Sequence, residues 1–146
     1  MDPLDLIMEE KGNNVHVVSR DCSVLAAVEA MSLAHVGALL VMDDSRLAGI
    51  FSERDLMRRV VLEQRDPACT PVGDVMTHEV VCVPRDCTPR NAMELLTERR
   101  VRHLPVVDGN RIVGIISIGD LVRWTIRDRE QQLEEMTDYV TGRYPG

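Results

Sequence analysis

Aromatic side chains are almost missing from this 146-residue sequence: Phe51, Trp124, Tyr139 and Tyr144 are the full set. Its core must therefore be built from Val, Leu, Ile, Met and Ala, which the 45% hydrophobic content supplies. Lysine is scarcer still. Lys11 is the single example, so a phosphate clamp built on lysine has almost no material to draw on. Positive charge is in deficit overall. A net charge of −7 leaves no broad basic surface of the kind that neutralises nucleic-acid phosphates, and no nucleic-acid partner is expected. The short cluster Arg99, Arg100, Arg102 and His103 remains a candidate anion site. No apolar run is long enough for a bilayer, so no membrane partner is expected. The acidic first residues lack the basic-then-apolar order of a signal peptide, and a cytoplasmic location is the expectation. The four cysteines contain no CxxC pair and the four histidines no metal spacing, so no metal site is expected. Neither a GxGxxG fingerprint nor a nucleophile elbow is present.

What the sequence does have is itself, twice. Shifted by 65 positions, residues 16–60 fall on 81–125 without a gap, and 17 of the 45 pairs are identical. Roughly three would match by chance. Arg20, Asp21 and Cys22 meet Arg85, Asp86 and Cys87. Gly49, Ile50, Ser52 and Asp55 meet Gly114, Ile115, Ser117 and Asp120. A leader repeats with a different offset: residues 3–8 (PLDLIM) resemble 71–76 (PVGDVM). The organisation expected from this is a first repeat with leader over 1–63 and a linker over 64–70. A second repeat with leader follows over 71–125, then a C-terminal helical extension over 126–146.

Each repeat reads as β-α-β-β-α, an α/β fold. Short apolar runs at 15–18 and 80–83 predict first strands. Ser23 and Thr88 are N-cap residues, followed by apolar residues at helical spacing: Leu25, Val28, Ala30 and Met31, then Ala92, Met93, Leu95 and Leu96. Strands are predicted over 38–42 and 46–51, and again over 104–107 and 111–116. Between them, 43–45 and 108–110 carry hairpin turn chemistry. Second helices start at Ser52 and Ser117. A unit this small leaves much apolar surface exposed, so the two copies are expected to pack as one compact, pseudo-symmetric module. The last helix runs on past Trp124 beyond what the repeat needs. It packs either on its own body or on a partner chain. Met57 and Met76 are read as core filler, with Met31, Met42 and Met93.

The segments Arg102–His103–Leu104–Pro105–Val106–Val107–Asp108 and Val113–Gly114–Ile115–Ile116–Ser117–Ile118–Gly119–Asp120–Leu121, with their first-copy partners over residues 37–43 and 48–56, resemble the tandem cystathionine β-synthase (CBS) domain pair, or Bateman module. The similarity covers about residues 3 to 125. It implies the stand-alone prokaryotic type: a non-catalytic regulatory module with no required cofactor, commonly a flat homodimer. The ligands the resemblance implies are AMP, ADP or ATP, with S-adenosylmethionine or NAD-type molecules as further possibilities. Ser52, Asp55, Ser117 and Asp120 then bind ribose and phosphate beside Gly49, Ile50, Gly114 and Ile115. Adenine lies near Val18 or Val83. In related modules basic residues at the positions of Arg102 and His103 serve the other repeat's site, which implies that the Ser52/Asp55 site takes the more phosphorylated ligand.

The residues themselves leave alternatives open. A helix N-terminus attracts anions and a carboxylate accepts two ribose hydroxyls. Yet Ser-x-x-acid is also a capping box that needs no ligand. A ligand-free dimerisation or docking scaffold is therefore the second reading. A thiol-based sensor through Cys22 and Cys87, both beside helix starts, is the third.

Overall fold

A computed structural model of the chain describes residues 3–11 and 15–141, and the side chains up to residue 137. The fold is mixed α/β, and it divides into two compact units. One is formed by residues 14–82. The other combines residues 1–13 with 83–146.

The 14–82 unit holds β1 (Val17–Ser19), α1 (Val24–Ala34), β2 (Ala38–Asp43), β3 (Arg46–Ser52) and α2 (Glu53–Asp55), which runs on as a π-helical stretch over Leu56–Val61. β1 pairs parallel with β2, and β2 antiparallel with β3. The first strand begins two residues later than its apolar run suggests, because only Val17–Ser19 finds ladder partners. Ser23 caps α1 through its hydroxyl, which accepts from the Ala26 amide. The buried face of α1 is Val24, Ala27 and Met31, while Leu25 is largely exposed. All eleven residues of this helix but Glu29 and Ser32 are apolar, so spacing alone could not choose its face. Asp44 at φ 54° turns the two-residue hairpin between β2 and β3. The core gathers α1 and the sheet around Phe51, Leu39, Val41 and Val60. Met57, expected in the core, is half exposed on the π-helical stretch.

The other unit repeats the plan with β4 (Val83–Pro84), α3 (Pro89–Arg99), β5 (His103–Asp108), β6 (Arg111–Ser117) and α4 (Ile118–Thr141). Thr88 caps α3, and Pro89 sits at the helix start, where its missing N–H costs nothing. The strand order, the antiparallel register and even the bulge recur: Val41/Met42 in one sheet, Val106/Val107 in the other. Gly109 at φ 64° takes the place of Asp44.

The leaders change sides. Residues Val72–Asp74 form a 3-10 turn against the first repeat's strands, with the Val72 and Gly73 amides donating to Cys22 and Arg20 carbonyls. The first leader, a helix over Pro3–Lys11 termed αN, belongs instead to the unit of the second repeat, against β6 and α4. Each leader sends one methionine onto a strand glycine. A Cβ on Gly49 would stand 2.7 Å from Met76 Sδ and 2.6 Å from the Thr77 carbonyl oxygen. A Cβ on Gly114 would collide with Met8 Sδ. These glycines are required by the close approach of the leaders.

Candidate functional site

The strand-to-helix corner of each repeat brings the predicted residues together. In the first repeat Val18 lies in register with Val41, and Val41 with Gly49, in one row across the sheet. Three residues beyond Gly49, Ser52 ends β3 and opens α2. In the second repeat Val83, Val106 and Gly114 form the same row, and Ser117 opens α4. His103, at the start of β5, is the ladder partner of Ser117. Arg102 precedes it, exposed, and its carbonyl accepts from the Ile118 amide. Gly37 does the same for Glu53.

Both corners are closed by complete capping boxes. The Ser52 hydroxyl accepts from the Asp55 amide at 3.3 Å, and Asp55 Oδ2 accepts from the Ser52 amide at 3.0 Å. In the second repeat the matching distances are 3.1 and 2.8 Å. With the first amide of each helix bound to a carbonyl and the third bound to serine, the helix starts offer anions less than an open terminus would. Asp55 and Asp120 are each only 6% exposed.

The two carboxylates differ in what holds their remaining valences. Asp55 Oδ1 accepts from the Thr77 hydroxyl at 3.0 Å, and Arg59 approaches no nearer than 3.8 Å. Arg59 instead spends its hydrogen bond on the Met76 carbonyl at 2.7 Å. Thr77 also pairs through its backbone with Ile50. Asp120 meets two cations: Lys11 Nζ at 2.7 Å on Oδ2, and Arg123 at 2.6 Å on Oδ1. Lys11 also donates to the Ile115 carbonyl at 2.8 Å, so its ammonium spans both polar features that the second corner presents. Beside this pair opens a cleft of about 150 Å³ lined by Ile7, Glu10, Lys11, Asp120, Arg123 and Arg127.

Charge follows this packing. Burial pushes the Asp120 carboxyl up, but the hydrogen bonds from Lys11 and from Ser117 outweigh it and hold the group below its ordinary range. His103 is pushed down to about 4, chiefly by burial and then by the Lys11 ammonium, with Asp120 opposing and Arg102 assisting. His103 was expected as a positive partner for phosphate. At neutral pH it is an uncharged imidazole and offers only a hydrogen bond. Cys22 and Cys87 fare likewise: burial raises both thiols, and their Sγ atoms donate to the Ser23 and Thr88 carbonyls. That is opposite to the thiolate a sensor needs.

Sequence reasoning missed Thr77, Lys11, Arg59 and Arg123. The signal for the first two was the leader repeat, which aligns Met8 with Met76. Thr77 directly follows one methionine and Lys11 stands three after the other.

Comparison with known proteins agrees with the repeat. The family model "CBS domain" matches twice, over residues 6–62 and 72–127. CBS domain-containing protein CBSX3, a mitochondrial protein of Arabidopsis thaliana, is 34% identical over 147 residues, covering 94% of this chain and 71% of that protein. CBS domain-containing protein YhcV of Bacillus subtilis is 35% identical, covering 73% and 76%. The crystal structure of a CBS-domain protein from Agrobacterium tumefaciens superposes with a TM-score of 0.77 at 35% identity, covering 84% of this chain and 98% of that one. The chain belongs to the CBS-domain family and carries two copies of the domain in tandem. Among the described residues no helix is long and apolar enough to cross a membrane.

Proposed function

We propose that this CBS pair is a non-catalytic, cytoplasmic regulatory module that senses an adenosine nucleotide through the first repeat. The ligand class is AMP, ADP or ATP, with S-adenosylmethionine and NAD-type molecules next. Ser52 and Asp55 receive the ribose, the Gly49–Ile50 strand end lies beside it, and Val18 lines the base. Occupancy acts on conformation or on association into a homodimer.

One observation carries the choice of site: a neutral hydroxyl, Thr77, holds Asp55, whereas two cations hold Asp120. A ribose hydroxyl can replace Thr77 on Asp55 like for like, with no buried charge left bare. At Asp120 it must displace an ammonium, and breaking a buried ion pair is costly. The second corner, with Val83, Gly114, Ile115, Ser117 and Asp120, is therefore the closed one, and Lys11 closes it.

A second reading has its own support. Both capping boxes are complete without any ligand, and among the described residues no buried side-chain polar atom lacks a partner. That is what a docking scaffold needs. Calorimetric titration with AMP, ATP and S-adenosylmethionine separates the two. The sensor reading expects one equivalent bound per chain, weakened roughly 10- to 100-fold in Asp55→Ala, the worth of hydrogen bonds to a charged group, and little changed in Asp120→Ala. No saturable binding by any of the three leaves the scaffold.

A further inference from the structure

The 24-residue helix α4 is about 36 Å long, and its second half is not covered by its own unit. Residues 129–137 are all exposed. Its apolar residues nonetheless keep a strict order. Val122, Ile126, Leu133 and Met136 are 44%, 52%, 64% and 66% exposed. Their spacings of four, seven and three residues are those of a coiled-coil seam, with Arg129 at the one seam position that is not apolar.

The charges say what the seam meets. In the first half of the helix Arg123 pairs with Asp120 at 2.6 Å and Arg127 with Glu10 at 2.6 Å, and Arg129 follows Asp128, whereas Glu130, Glu134 and Glu135 crowd the second half with no basic residue among them. Asp120 in the first turn suits the helix dipole, but acids crowding the half nearer the negative C-terminus with no base in the last turn do not. A second copy running antiparallel eases that fault by setting Arg129 of each copy against the acidic half of the other. With the pair centred near residue 131, Ile126 of one copy lies opposite Met136 of the other. Arg129 lies over Leu133, its stem on apolar surface and its head toward the opposing Glu130 and Glu134. A parallel pair would instead stack Arg129 on Arg129.

We propose that α4 is the self-association surface of this protein and that two copies pair through it antiparallel, along the seam Val122, Ile126, Arg129, Leu133 and Met136. The proposal rests on the homodimer put forward above and adds its location and direction.

Sedimentation equilibrium of the full chain, with one copy weighing 16.4 kDa, provides the first test. The wild type is expected to dimerise. Leu133→Glu with Met136→Glu is expected to raise the dimer dissociation constant about 100-fold or more, as for the loss of two central contacts. Both side chains are exposed in the single copy, so the circular dichroism spectrum should not change. Direction is read by disulfide trapping in a background with the four native cysteines replaced by serine. Ile126→Cys and Met136→Cys chains should cross-link when mixed and poorly alone. A wild type that stays monomeric sinks the homodimer reading and this proposal together. A dimer that survives the double glutamate variant sinks the proposal only. Efficient cross-linking of Ile126→Cys to itself overturns the antiparallel direction.

Discussion

Asp55 and Asp120 stand at equivalent places, three residues into equivalent corners and equally buried, yet one is held by a neutral hydroxyl and the other by two cations. The frames around them agree to the bulge. Part of the difference comes from inside the repeat, where Arg123 reaches Asp120, and part from outside it, from leaders whose offset is different. The second leader delivers Thr77 by continuing a backbone pairing with Ile50. The first delivers Lys11 from the last residue of αN, and a side chain does what a backbone does in the other copy. The two repeats thus supply similar sockets, and the leaders laid across them, with Arg123 in the second, make them unequal.

The leader contacts are where the comparison breaks most sharply. Gly49→Ala must move the Thr77 carbonyl, which is backbone, whereas Gly114→Ala need only move the Met8 side chain. We expect a loss of about 2–4 kcal/mol for the first and about 1 kcal/mol for the second in urea denaturation. Equal losses would mean the leaders are not gripped differently.

Next comes pH. His103 titrates near 4 when folded against 6.5 when unfolded, so the unfolded chain binds the proton first as pH falls. Stability should therefore decline between about pH 6.5 and 4, by at most about 3 kcal/mol. His103→Gln should flatten that slope. The first repeat has Ala38 at this position, so no counterpart of the effect is expected there.

Lys11→Ala should cost about 1–2 kcal/mol at pH 7, less than a fully buried pair because a third of the lysine side chain is exposed. The Asp120 carboxyl is held below its ordinary range, so this difference is present above that range and fades as the group takes its proton. In calorimetry the same variant should admit a second equivalent of nucleotide. One equivalent, unchanged, would show that Lys11 does not close the corner. Smallest is Thr77→Val, which removes one buried hydrogen bond from Asp55, about 1 kcal/mol in stability.

Much of this was legible in the residues. Caps at Ser23, Thr88, Ser52 and Ser117, the two hairpins and the strand pairs follow from local chemistry, which each repeat states twice. The partners of the carboxylates did not. Thr77 and Lys11 reach Asp55 and Asp120 across 22 and 109 residues, and no local pattern encodes such a distance. His103 could be placed on its strand, but its lost charge depends on burial, which only the fold decides. The π-helical winding of Leu56–Val61, where the second copy has a regular α-helix, was not foreseen, and nothing in the structure explains it.

The exchange of leaders also sets an order of assembly. Residues 14–82 are contiguous, so that unit has all its parts once residue 82 has left the ribosome. The other unit needs Met8 against Gly114 and Lys11 against Asp120, and it cannot close until most of the chain has been made. Such long-range closure is the slow part of folding. During synthesis αN is made before residues 14–82 and finds its place after them.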